Sequence, residues 1–101
     1  MDTDTLISQA KARFSHNSAK SYLKDKYDSK LTVADQGGLW KANAQTISLL
    51  SSFNTVTLVV MDTFENPVKV DRQRLLETLS NVYFTVMEEY NNEWLELEKK
   101  R

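Results

Sequence analysis

The chain of 101 residues contains no cysteine, one proline, two glycines and one histidine. The absence of cysteine excludes disulfides, thiolate metal sites and cysteine nucleophiles. The single histidine, His16, lies in the polar segment Ser15-His16-Asn17-Ser18, so neither a metal site nor a catalytic triad has the partners that it needs. We therefore expect His16 to be exposed or to cap a helix, and we predict no catalytic residue, no metal and no cofactor.

An excess of charge of one sign is also missing. The formal net charge is -1, from 13 basic and 14 acidic residues, so no global field attracts nucleic acid or an anionic membrane. The longest apolar run, Leu58-Val59-Val60-Met61, is far shorter than the roughly 20 residues that span a bilayer. The acidic, polar N-terminus is unlike a secretory signal. We expect a soluble intracellular protein without membrane contact.

The composition is typical of one globular domain that covers residues 1–101. Apolar residues make up 41% and charged residues 27% of the chain, which excludes wholesale disorder. A domain of this size has room for one core but not for a deep cleft, which disfavours an enzyme. The sequence divides into a helical segment at 1–30, a strand-rich segment at 31–70 and a long helix at 71–101.

The N-terminal segment has apolar residues at helical spacing on both sides of a polar interruption. Thr3 or Asp4 can cap the start, and residues 15–18 compete for backbone hydrogen bonds. Residues 3–29 therefore form either one helix or two. The apolar positions of the two halves are Leu6, Ile7, Ala10 and Phe14, and then Tyr22, Leu23 and Tyr27.

Two hairpins are predicted in the middle segment. The segment Asp35-Gln36-Gly37-Gly38, which contains both glycines, is expected to form the tight turn of the first hairpin between residues 31–34 and 39–42. Val56–Met61 is apolar at nearly every position, which predicts a central strand covered on both faces, and Pro67 turns the chain into a return strand at 68–70. Asn43 is expected to cap a short intervening helix whose buried face consists of Ile47, Leu49, Leu50 and Phe53.

The C-terminal helix is predicted to begin after a cap at Asp71 and to extend from Arg72 to Lys100. At 1.5 Å per residue it is roughly 40 Å long, so we expect its last turns to project beyond the core or to pack on another element. Its apolar stripe consists of Leu76, Leu79, Tyr83, Val86, Tyr90, Trp94 and Leu97. The predicted fold class is α+β, a small antiparallel sheet of two β-hairpins with N-terminal helices and one long C-terminal helix.

Two surfaces are candidates for function. Aromatic residues are enriched at interfaces, which indicates a protein interface or self-association at Trp40, Tyr90, Trp94 and Leu97. The alternative is that a helix of the same chain covers the helix end. Lysines on one helix can bind phosphate, so Lys20, Lys24, Lys26 and Lys30 form a candidate basic patch. Solvation of that helix explains them equally, and nucleic-acid binding is disfavoured; no small-molecule ligand is evident.

Several segments together resemble small uncharacterised accessory proteins of contractile-tailed bacteriophages. The resemblance implies a non-enzymatic protein of the virion, the tail or baseplate, or its assembly, located in the host cytoplasm or incorporated into the particle. The alternatives are an inhibitor of a host defence or transcription enzyme, and nucleic-acid binding through the helix at 20–30. The segments are Phe14-Ser15-His16-Asn17, Gly37-Gly38-Leu39-Trp40-Lys41-Ala42, Asp62-Thr63-Phe64-Glu65-Asn66-Pro67-Val68-Lys69-Val70 and the helix end from Tyr90 to Trp94.

Overall fold

A computed structural model describes residues 3–99, with side chains from His16 onwards. The N-terminal segment is one helix, α1 (Thr3–Lys30). Residues 15–18 do not break it because Asn17 and Ser18 point into solvent, where they do not compete with the helical hydrogen bonds. The predicted cap at Thr3 or Asp4 and the apolar stripe at Leu6, Ile7, Ala10 and Phe14 lie outside the described side chains.

The remaining elements confirm the predicted α+β class. They follow in the order β1 (Thr32–Asp35), β2 (Gly38–Lys41), α2 (Ala44–Ser51), β3 (Thr57–Met61), β4 (Pro67–Asp71) and α3 (Arg72–Lys99). β1 pairs with β2 and β3 pairs with β4, both antiparallel. In the described residues the hairpins form two separate two-stranded sheets. The predicted end of α3 at Lys100 lies outside the described residues.

The turn of the first hairpin lies within the predicted segment Asp35-Gln36-Gly37-Gly38. It consists of Gln36 and Gly37, whose φ angles are 49° and 80°, as a two-residue type I′ turn requires. Gly38 belongs to β2, and its role is steric. A Cβ atom at this position would lie 2.5 Å from Cζ2 of Trp40, so only glycine leaves room for the indole ring.

The second hairpin corrects the prediction of a central strand. β3 pairs only with β4 in the part of the chain that the structure describes. Val59 and Met61 are 62% and 57% exposed, whereas Val60 is buried. A two-stranded sheet that packs one face on helices leaves its other face in solvent, so an apolar run does not require two covered faces.

Asp62 joins the two hairpins. Its Oδ1 accepts hydrogen bonds from the backbone N–H groups of Phe64 and Asn66, both at 3.0 Å, and its Oδ2 accepts one from the N–H of Leu39 at 3.3 Å. The N–H of Thr63 donates to the carbonyl oxygen of Leu39 at 2.9 Å. These bonds, chiefly the one from Asn66, hold the pKa of Asp62 below its usual value because they favour the carboxylate form.

The core lies where both hairpins and α2 meet the first half of α3. Leu50, Leu75 and Leu79 are fully buried there. Leu49 and Phe53 are more than 40% exposed, which corrects the predicted buried face of α2. An eight-residue helix presents only a narrow stripe to the core, and Leu50 with the half-buried Ile47 supplies it.

Side-chain caps begin α2 and α3 as predicted. Oδ1 of Asn43 accepts a hydrogen bond from the N–H of Thr46 at 2.9 Å, and Oδ1 of Asp71 accepts one from the N–H of Arg74 at 3.2 Å. Each carboxyl or amide oxygen satisfies an N–H group that has no intrahelical partner.

The two long helices pack side by side and antiparallel. Lys30 lies beside Glu89 at one end of the pair and His16 beside Glu98 at the other. The last turns of α3 therefore pack on α1, whereas residues 3–15 of α1 extend beyond the described end of α3. The overall dimensions are 65 × 24 × 20 Å. Among the described residues, no helix contains an apolar stretch that could span a bilayer.

Candidate protein-interaction surfaces

The predicted contact residues at the end of α3 lie against α1. The rings of Tyr90 and Tyr27 are stacked, with centroids 5.1 Å apart. The Trp94 ring lies 6.4 Å from the ring of His16, and Leu97 is partly buried against the core. Most of the area of these side chains is therefore used within the chain, as the alternative interpretation of the sequence anticipated.

An ion pair fixes the register of the two helices. Nζ of Lys26 lies 2.7 Å from Oε1 of Glu93, and the hydroxyl group of Tyr27 donates a hydrogen bond to the same oxygen. Lys26 and then Tyr27 hold the pKa of Glu93 below its usual value, and the bond to Glu93 raises the pKa of Tyr27 and of Lys26. Glu93 is thus a structural carboxylate that is already engaged.

The four lysines of the predicted basic patch do not share one face. Lys26 and Lys30 lie on the side of α1 that faces Glu93 and Glu89, with Nζ of Lys30 3.3 Å from Oε2 of Glu89. Lys20 lies on the other side, with its Nζ 5.4 Å from the centroid of the Trp94 ring, and Lys24 follows it one helical turn later. The helix pair therefore divides the patch into two halves.

Trp40 is a core residue. Its ring is 1% exposed, and its Nε1 donates a hydrogen bond to the carbonyl oxygen of Asp35 at 2.8 Å. The first hairpin consequently folds its indole ring inward over Gly38 instead of presenting it to a partner. Side chains of β2 alternate between the two faces of the hairpin. The sequence does not show which of these faces is buried, so it does not distinguish a buried Trp40 from an exposed one.

An exposed apolar stripe runs along one flank of α3. Phe84, Met87 and Leu95 are 68%, 39% and 49% exposed, and Asn91 lies between them. Spacings of three, four and four residues place all four on one side of the helix. Met87 and Asn91 also line a shallow open groove with Tyr90 and Trp94. We call Phe84, Met87, Asn91 and Leu95 the α3 stripe.

Charges of opposite sign border the α3 stripe. Lys20 and Lys24 lie on the side of α1 that adjoins Trp94, and Glu88 follows Met87 on the solvent side of α3. Lys24 and Glu88 form no ion pair with another described residue. The stripe therefore has one basic and one acidic border, and both borders have charges that are available to a partner.

Groups that could support chemistry are few among the described residues. No three His, Asp or Glu side chains of residues 16–99 converge as a metal site would require. His16 is neither exposed nor a cap, which corrects the expectation. It lies within α1, and its Nε2 is 3.9 Å from Oε1 of Glu98, beside the Trp94 ring. Oδ2 of Asp35 is buried without a hydrogen-bond partner among the described residues, while the neighbouring Asp62 carboxylate is occupied by backbone N–H groups.

Sequence reasoning missed Phe84 and Leu95 as surface residues. At 100° per residue, both lie roughly a quarter turn or more around the helix from the main apolar stripe. This offset is the feature of the sequence that predicts their exposure. Asp62 was missed because its bond to Leu39 joins residues that are distant in sequence.

Comparison with known protein families, with curated proteins and with solved structures finds no match to this chain.

Proposed function

We propose that this chain is a non-enzymatic protein–protein interaction module of a contractile-tailed bacteriophage, acting in virion structure or assembly. Its contact surface is the α3 stripe, and its partner presents an amphipathic helix. The observation that carries the proposal is the exposure of Phe84, Met87 and Leu95 on the flank of α3 that α1 leaves open. Exposed apolar side chains that are contiguous and bordered by charge are typical of binding sites.

The length and shape of the surface favour a helix as the occupant. Phe84 and Leu95 are eleven positions apart, which corresponds to about 16 Å along the axis or three turns. An amphipathic partner helix contacts such a surface through residues at spacings of three, four and seven. The groove beside Trp94 gives that helix a place for one large side chain, and Asn91 offers both a donor and an acceptor at the centre.

The charged borders select the partner and its orientation. A helix with acidic residues along the border at Lys20 and Lys24 and with basic residues towards Glu88 is complementary in charge. Such border pairs contribute to specificity and to the association rate more than to affinity. Lys24→Glu is therefore expected to slow association, and the effect should diminish as salt screens the charges.

The phage context comes from the sequence segments that resemble accessory proteins of contractile-tailed phages. Two of those segments, 37–42 and 62–70, meet in the fold through the bond between Asp62 and Leu39. The resemblance thus covers a contiguous part of the molecule. It supports a role in the particle or its assembly and carries over no catalytic residue.

Mass spectrometry of purified phage particles tests the proposal. A phage that encodes the Phe84→Ser, Leu95→Ser variant is compared with one that encodes Tyr22→Ser. Tyr22 is also an exposed aromatic residue, at 67%, but it lies on the opposite flank of the helix pair, beside Leu97. Circular dichroism first establishes that both variants are folded.

We expect the double variant to be depleted from particles or assembly intermediates at least about thirtyfold, since loss of an aromatic anchor costs about 2 kcal/mol or more. The Tyr22→Ser control should be retained. Equal retention of both variants would contradict the α3 stripe as the contact. Absence of the wild-type chain from particles and intermediates, with a stoichiometric host-enzyme complex instead, would contradict the virion role.

A further inference from the structure

The hydrogen-bonding pattern of the second hairpin shows which backbone groups point outward. The N–H of Asp71 donates to Oε1 of Gln36 at 2.7 Å, and its carbonyl oxygen accepts from Nε2 of Gln36 at 3.3 Å. Asp71 thus points away from β3, and so its partner Thr57 points away from β4. Because the direction alternates along an antiparallel strand, the N–H and C=O groups of Val59 and Met61 also point outward from the hairpin.

The flanking bonds confirm this alternation. The N–H of Arg72 donates to the carbonyl oxygen of Val56 at 3.0 Å, and the N–H of Asp62 donates to that of Asn66 at 3.0 Å. Val56 and Asp62 are each an even number of residues from Leu58 and Val60. The N–H and C=O groups of Leu58 and Val60 therefore point inward to β4. Pro67, which has no N–H to donate, faces Met61 at an outward position, where the ladder loses nothing.

The two edges of the hairpin differ in their protection. On β4, Pro67 lacks a donor, Lys69 carries a charge, and the Gln36 side chain occupies the backbone of Asp71. Proline, lysine and coverage are the usual means by which proteins block an exposed edge. On β3, the outward residues Thr57, Val59 and Met61 include neither a charge nor a proline, and no described backbone group outside the hairpin bonds to them.

We propose that β3 pairs edge to edge and antiparallel with β3 of a second copy of this chain. The two-fold axis passes beside Val59, so that Val59 faces Val59 of the other copy and Thr57 faces its Met61. Each of these three facing pairs exchanges two N–H···O bonds. The result is one four-stranded sheet in the order β4-β3-β3-β4.

Self-pairing fits this edge better than an unrelated strand because the edge is complementary to itself. The outward groups are symmetric about Val59, so two copies match without a bulge or an unpaired group. An isolated two-stranded hairpin is marginal, and additional strands stabilise it. The outer edges of the four-stranded sheet are both β4, which are blocked, so that assembly stops at the dimer and does not continue to fibrils.

The neighbouring hairpin leaves this edge open over the length of β3. β2 meets the second hairpin through Leu39, which bonds to Asp62 and Thr63 beyond the end of β3. Val59 and Thr57 remain exposed. The pairing does not use the α3 stripe, so each surface can be altered without the other, and the inference holds whether or not the proposed function is correct.

Disulfide trapping tests the register directly. The chain has no cysteine, so Val59→Cys creates the only thiol. Facing residues of a hydrogen-bonded pair have Cα atoms about 5.5 Å apart, within the range of disulfides. Thr57→Cys is the matched control, since the two Thr57 residues would be about 13 Å apart at 3.3 Å per residue.

We expect mild oxidation of the purified full-length protein to convert Val59→Cys to a covalent dimer at least about tenfold faster than Thr57→Cys, because only the former pair is within disulfide reach. A mixture of Thr57→Cys with Met61→Cys should form the heterodimer. Equal rates at positions 59 and 57, or no dimer of Val59→Cys, would overturn the proposed register.

Sedimentation equilibrium of proline variants provides the second measurement. Val59→Pro removes an outward N–H group from the β3 edge without breaking the β3–β4 ladder. Lys69→Pro is the matched control, because Lys69 pairs with Val59 and its proline removes an outward N–H group from the β4 edge instead. We expect Val59→Pro to weaken the dimer about a hundredfold, through lost hydrogen bonds and steric obstruction, and Lys69→Pro to leave it unchanged. A monomeric wild-type protein at high micromolar concentration, equal effects of the two prolines, or an open-ended aggregate would overturn the inference.

Discussion

Replacing Gly38 with alanine is expected to destabilise the fold through the core. The new Cβ atom would lie 2.5 Å from Cζ2 and 2.8 Å from Cε2 of Trp40, in a ring that is 1% exposed. The rigid indole ring must therefore move, and overpacking of this kind costs about 1–3 kcal/mol. Displacement of the ring also weakens the bond from its Nε1 to Asp35, which contributes about 1 kcal/mol.

The adjacent Gly37 provides a control with a different mechanism. Its φ is 80°, and a Cβ atom there would have no neighbour within 4 Å, so Gly37→Ala costs only the backbone strain of about 1–2 kcal/mol. Asparagine tolerates the left-handed region, so Gly37→Asn should recover part of that loss. Gly38→Asn should recover none of the loss caused by Gly38→Ala.

Urea unfolding followed by circular dichroism and by tryptophan emission measures these differences. The chain has two tryptophans, so a Trp94→Phe background reports Trp40 alone. We expect Gly38→Ala to lower the free energy of unfolding by about 2–4 kcal/mol and to shift the Trp40 emission to longer wavelength. A cost no larger than that of Gly37→Ala, with unchanged Trp40 emission, would refute the packing of the indole ring over Gly38.

Two further predictions concern the helix pair and the core. The pKa values of Glu93 and Asp62 are lowered in the folded state, so their stabilisation is present above their unfolded values near 4 and is lost as pH falls through the folded values. The urea concentration at the unfolding midpoint should therefore decrease as the pH is lowered below about 4. The decrease should be less steep in the double variant Glu93→Gln, Asp62→Asn, and the same pH dependence in both proteins would contradict these carboxylate contacts. Leu79→Ala, at a fully buried position, should cost about 2–5 kcal/mol in urea unfolding, whereas Leu95→Ala on the surface should change stability by no more than about 0.5 kcal/mol; similar values would contradict their assigned burial.

Local features of the fold could be predicted from the sequence. The caps at Asn43 and Asp71, the length of α3 and both hairpins depend on residues that are close in the chain, where capping and turn preferences act directly. The positive φ of Gln36 within the predicted turn was not anticipated, because glutamine rarely adopts one. Here its side chain bonds to Asp71 of the other hairpin, which is a tertiary contact.

Burial could be predicted less well than secondary structure. Trp40 and Trp94 are both aromatic residues in amphipathic elements, yet one is fully buried and the other half-buried. Trp40 packs over Gly38 within the first hairpin, whereas Trp94 lies beside His16 and Lys20 of α1. Periodicity alone does not determine the partner of a face. The angular offset of Phe84 and Leu95 is present in the sequence, but the packing of α1 that leaves their flank of α3 open is a tertiary feature.

Site-specific photo-crosslinking tests the central claim, that the α3 stripe is the partner contact, most directly. p-Benzoylphenylalanine is placed at Phe84 and, in a second protein, at the exposed Thr85, which is rotated by about 100° around the helix. Irradiation during phage assembly should join position 84 to one defined partner through a helical segment of that partner, and position 85 should give little product. Equal crosslinking at both positions, or none at position 84, would contradict the claim.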